Sequence, residues 1–171
     1  QCLDLDICIY EEESIDILSD VYGVVKEVSA VEKNAAFRRL LARSSGKTKL
    51  SGHFKCEDEK AMLHKVLHTM SALQVTGQNI TEGGIELTGV VNLQIFYECS
   101  NEDDRYGVIK AAIPFQYVLE AEGMNENCIY SVQSFVDQVT VAIIDNGEVD
   151  VKCVLYFRAN VYQRWQEKIV E

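Results

Sequence analysis

From Val149 onward the chain keeps a strict period of two: Val149, Val151, Cys153, Leu155, Phe157, Ala159 and Val161 share one parity. Such alternation puts one set of side chains on one face of an extended strand, and only a sheet with a buried face can use it. The pattern recurs at Leu3, Leu5, Ile7 and Ile9, over residues 47–55, and at Ile85, Leu87, Val91, Leu93, Ile95 and Tyr97. Turn chemistry separates these stretches. Thr81-Glu-Gly-Gly84 lies between two of them, and Asp145-Asn-Gly147 joins residues 128–144 to 148–162. Asn-Gly is a strong hairpin signal because both residues tolerate positive φ. The single proline, Pro114, has no N–H for a ladder and predicts an edge position or a bulge for residues 106–121. The fold class expected is all-β, a mainly antiparallel β-sandwich.

One segment breaks the rhythm. Met62, Leu63, Val66, Leu67 and Met70 recur at helical spacing behind Glu57, Asp58 and Glu59, acids that suit a helix N-terminus. This spacing predicts one short α-helix over residues 58–70. Residues 14–28 read as extended, and 34–42 fit either a helix or a strand. Two regions follow: N-terminal strands over 1–48, and a β domain over 49–171. At a shift of 152 residues Leu3 falls on Leu155, Leu5 on Phe157, Ile7 on Ala159, Ile9 on Val161 and Tyr10 on Tyr162. The first strand therefore reads as the end of a preceding repeat, with a connector after it.

Composition narrows the function classes. Sixteen Lys and Arg against 27 Asp and Glu leave a formal net charge of −11, which disfavours nucleic acid and anionic membrane surfaces as partners. No apolar run approaches the ~20 residues that span a bilayer, and no secretory signal is legible at the start. The opening Gln suggests a processed or excised piece. Cys2, Cys8, Cys56, Cys99, Cys128 and Cys153 form no CxxC pair, so free thiols in a reducing cytosol are expected.

Catalytic templates are unfilled. The chain holds no GxSxG elbow, no phosphate-binding GxxxxGK[ST] loop and no GxGxxG after a strand, so no enzymatic activity and no cofactor are expected. His53, Cys56, His64 and His68 fall within sixteen residues, with His64 and His68 at i and i+4 on the expected helix. That set suits zinc in kind but matches no familiar zinc spacing, and the plainer reading is polar residues flanking a core stripe. Surface carboxylates near 145–150, and Tyr117, Tyr156 and Trp165 as sugar-stacking rings, likewise read first as ordinary surface and core. Charge segregation is more informative. Lys33, Arg38, Arg39, Arg43, Lys47, Lys49 and Lys55 are seven bases with no acid among them. Against the plainer reading of a solvated strand face, this basic segment is the candidate partner-binding surface.

The run Gly89-Val-Val-Asn-Leu-Gln-Ile-Phe-Tyr97, the acidic loop after it, Ile113-Pro-Phe115 and the closing strands to Val161-Tyr162 resemble the SPOCS domain of endospore-forming Firmicutes. The strand at 50–52 and the expected helix fit as well, so the likeness covers roughly 49–162. Residues 15–22 resemble the stretch that follows such a domain in tandem copies. The resemblance implies a non-enzymatic structural and protein-interaction module of a sporulation protein. Its place would be the mother-cell cytoplasm at the forespore surface, in spore coat or cortex assembly. Expected partners are other spore-envelope proteins or copies of itself, with no nucleic acid and no membrane insertion. The best-known family member also carries a LysM module that engages the coat-basement ATPase. No segment here reads as LysM, so that partner is not carried over. The family brings no catalytic residues. An alternative of another class is a β-sandwich that binds cell-wall polysaccharide, which requires an aromatic groove with convergent carboxylates.

Overall fold

A computed structural model of the chain describes residues 7, 9, 11, 14–18, 20–24, 26, 31–56, 62–100, 105–145 and 147–170. Among the described residues six strands follow one another: β1 (Glu32–Lys55), β2 (Leu63–Thr81), β3 (Gly84–Cys99), β4 (Tyr106–Glu120), β5 (Cys128–Asp145) and β6 (Glu148–Val170). They form two three-stranded sheets, in the orders β1-β6-β5 and β2-β3-β4. The ladders β2/β3, β3/β4 and β5/β6 are antiparallel. Among the described residues no helix is long and apolar enough to cross a membrane.

Both glycine turns close two-residue hairpins. Thr81 pairs with Gly84 and Asp145 with Glu148, while Gly83 and Gly147 take φ of 97° and 86°. These positive values suit glycine, because a Cβ there meets the following carbonyl. Pro114 sits on β4, the outer strand of its sheet, as its missing N–H requires.

The expected helix over 58–70 is not formed. Residues 63–70 are the first part of β2, and 57–61 lie outside the described residues. The cause is a pair of β-bulges, at Leu63/Lys65 and Val66/His68. Each bulge sets two residues of β2 against one of β3. The residues opposite the inward Cys99, Tyr97 and Ile95 are therefore Leu63, Val66 and Thr69, three apart rather than two. A bulged strand thus reproduces helical spacing. Leu67 and Met70, two of the five residues of the supposed apolar stripe, are about half exposed, at 47% and 54%. Residues 34–42 are strand as well, and the described residues within 14–28 belong to no strand.

The chain divides into two compact units, Gln1–Phe37 with Trp165–Glu171, and Arg38–Arg164. Within the first, Phe37 stacks on Trp165 with ring centroids 5.3 Å apart, Lys168 pairs with Glu32 at 2.9 Å, and the Val170 N–H donates to the Leu18 carbonyl. Within the second, the middle strands β3 and β6 carry the core. Ile85, Leu87, Val91 and Ile95 on β3, and all seven residues from Val149 to Val161 that share the β6 parity, have no exposed surface. From β4, Phe115 and Tyr117 bring their rings to 5.7 and 5.1 Å from that of Phe157 on β6, so both sheets contribute to one cluster.

The described cysteines Cys56, Cys99, Cys128 and Cys153 are buried, and none of the four is in a disulfide. Burial pushes the Cys153 thiol above its ordinary value of 9.0. The folded state therefore holds this proton more tightly than the unfolded state does. Its contribution to stability is complete below the ordinary thiol range and is lost as pH rises through the folded value. Urea unfolding followed between about pH 8 and 10 is expected to show a decline that Cys153→Ala makes shallower.

Candidate partner-binding surface

All seven bases of the candidate segment lie on β1. Lys33 belongs to the first compact unit and the other six to the second. From Ala42 to Lys55 the even positions are half-buried and the odd positions exposed. This alternation puts Arg43, Lys47, Lys49 and Lys55 on one outward face with Ser45, Ser51 and His53. Arg38 and Arg39 are both exposed, just before the alternation becomes regular.

β1 runs antiparallel beside β6, since its partners there descend as β1 ascends. Arg39 donates to Gln163 at 2.8 Å, Lys47 lies 5.6 Å from the Tyr156 ring, His53 is 3.5 Å from Asp150, and the Cys56 N–H donates to the Gly147 carbonyl. The outward residues of β6 therefore join the same surface. Two of them are bases outside the sequence-derived segment, Lys152 and Arg158. Arg158 is bound to Gln133 of β5 through both Nε and Nη2. Lys152 lies 3.6 Å from Asp150, and Lys47 pairs with Asp137 at 2.8 Å. Exposed pairs of this kind contribute little to stability, so they leave the face free to exchange partners.

The other sequence-derived candidates are dispersed. His53 faces Asp150, the buried Cys56 sulfur lies 2.8 Å from the Tyr97 hydroxyl, His64 shares a hydrogen bond with Ser100 at 2.7 Å, and His68 tilts against Phe96. Among the described residues, no three or more His, Cys, Asp or Glu side chains gather where a metal ion could be held. Of the three candidate sugar-stacking rings, Tyr117 packs on Phe157 and Trp165 on Phe37. Tyr156 remains on the outward face, against Phe135 with ring centroids 5.0 Å apart.

Residues 63–144 match the family model of the SipL, SPOCS domain. This is the family whose resemblance rests on the Gly89-to-Tyr97 strand and Ile113-Pro-Phe115. The SPOCS match begins at the first residue of β2 and stops one residue short of the end of β5. It therefore takes in the whole β2-β3-β4 sheet and leaves out β1 and β6, the two strands that carry the bases. No curated protein and no solved structure matches the chain.

Proposed function

We propose that this chain is a non-enzymatic structural module that binds other proteins in spore-envelope assembly, at the forespore surface on the mother-cell side. The SPOCS match over 63–144 carries the reading. The two sheets are read as the layers of a β-sandwich, which the contacts of Phe157 with Phe115 and Tyr117 support. A sandwich of this kind offers two broad outward faces, and here one of them is basic in a chain of net charge −11. Such a face orients an acidic spore-envelope partner, or the acidic surface of another copy.

Reversing Arg38, Arg39 and Arg43 to Glu is expected to abolish self-association or partner capture while the thermal midpoint stays almost unchanged. Exposed charges contribute only ~0–1 kcal/mol each to stability, so binding suffers far more than folding. The parent chain is expected to bind less well at ~0.5 M salt, where screening acts within about 5 Å. Sedimentation at two ionic strengths, beside capture from a lysate of sporulating cells, makes the measurement. A triple variant that associates as the parent does would show these arginines to be a solvated face.

A further inference from the structure

The outward face of the β1-β6-β5 sheet combines three features. The first is charge. Arg43, Lys47, Lys49, Lys55, Lys152 and Arg158 face outward with only Asp137, Glu148 and Asp150 among the described acids. The face is therefore positive, and the rest of the chain is more negative than the whole. The second is a partly exposed aromatic pair: Phe135, 47% exposed, packs on Tyr156, and Lys47 lies over the Tyr156 ring. The third is a groove of about 400 Å³, walled by Lys49, Ser51, Gln138, Thr140 and Lys152 with Val154 in its floor.

The groove has a definite chemistry. Its short central side chain, Val154, is flanked by two long amines, and no carboxylate lines it. Lys49 has no carboxylate partner among the described residues. Hydroxyls and an amide supply further donors from Ser51, Thr140 and Gln138. An incoming carboxylate would meet two amines, two hydroxyls and an amide there, with Lys152 exchanging Asp150 for it. The aromatic pair stands one repeat along β6, at Tyr156. Side chains two apart on a strand are separated by roughly 6.6 Å and point the same way, in a sheet and in an extended peptide alike. A bound extended segment with an acid at one position and an aromatic two residues away would match both features together.

We infer that this face docks an extended acidic segment of a partner protein, a carboxylate lodged between Lys49 and Lys152 and an aromatic side chain against Phe135 and Tyr156. This deepens the reading of the chain as an interaction module and rests on it. The negative charge over the rest of the chain steers such a segment to this face alone. The aromatic pair distinguishes it from a polyanion that offers charge only.

Fluorescence anisotropy with short labelled peptides tests the site. One twelve-residue probe repeats Ser-Glu-Ser-Phe, which sets acid and aromatic two apart on one face. Its isomer repeats Ser-Ser-Glu-Phe and sets them on opposite faces at the same composition. The first probe is expected to bind clearly more tightly than the isomer. Its affinity should fall about tenfold in the Lys49→Glu, Lys152→Glu double variant and about fivefold in Phe135→Ala. All three positions are exposed, and circular dichroism of each variant shows whether the fold is kept. Equal binding of the two isomers, or tighter binding of a single-stranded oligonucleotide, would overturn the proposal in favour of a general anion surface. If neither peptide binds while the triple arginine variant still loses association, this site fails and the interaction reading stands. If the first probe binds as expected and the arginine variant associates normally, the docking site holds and the three arginines take no part in it.

Discussion

Truncating Phe157 to alanine is expected to cost about 3–5 kcal/mol, the range for deleting a large buried aromatic. Among the described residues Phe157 is the largest side chain without exposed surface, and its ring touches both Phe115 and Tyr117 of the other sheet. The substitution opens a cavity where Phe157 meets Phe115 and Tyr117, and the strands that carry them cannot easily close over it, since each is held by its own ladder. A domain of ordinary stability has only about 5–15 kcal/mol in total, so the variant is expected to unfold early in urea. Phe157→Leu should lose much less, because most of the volume and apolar surface remain. A loss below about 1 kcal/mol in the alanine variant would mean that the contacts of Phe157 with Phe115 and Tyr117 carry little of the stability.

Gly89→Ala is expected to destabilise by about 1–3 kcal/mol although it adds a single methyl group. Gly89 lies in the middle strand of its sheet, opposite Val75 on one side and Phe115 on the other. A Cβ there would run into the Gln74 carbonyl oxygen and come within 2.7 Å of a Phe115 ring carbon. Neither neighbour can yield cheaply. Gln74 is tied into the ladder beside the bulge at Val75/Gly77, and the Phe115 ring is packed on Phe157. At this chain length each kcal/mol lowers the thermal midpoint by roughly 2–4 °C, so calorimetry resolves the change. A midpoint equal to the parent's would show that β2 and Phe115 relax freely. The glycine that opens the SPOCS-like strand thus has a packing reason to be there.

Features set by neighbouring residues were the legible ones. Gly83 and Gly147 announce their hairpins because two-residue turns need positive φ, and Pro114 announces an edge because a missing N–H cannot be hidden inside a sheet. The SPOCS resemblance likewise rests on runs such as Gly89 to Tyr97 that are continuous in sequence. Residues 62–70 misled because periodicity records which side chains turn inward, not the backbone that turns them. Two bulges place Leu63, Val66 and Thr69 three apart, and no local signal separates that from a helix. The bases of β1 were visible as a row, but their neighbours were not. Lys152, Arg158, Phe135 and Tyr156 join that row only because β6 lies between β1 and β5, and nothing in a linear sequence states that order. Alternation on β6 does mark its even positions as outward, which was the available clue to Lys152 and Arg158.

The order β1-β6-β5 also sets a timetable. β1 ends at Lys55, and its neighbour in the sheet begins only at Glu148. At roughly 5–20 residues per second on the ribosome, β1 waits several seconds for its partner, while β2, β3 and β4 can pair with one another as they emerge. A 24-residue strand left waiting is a template for pairing with other nascent chains. Its lysines and arginines resist that, because two such strands side by side repel each other. The positive row on β1 is therefore suited to a task before the fold exists, keeping β1 from pairing with its like until β6 arrives along one of its two edges.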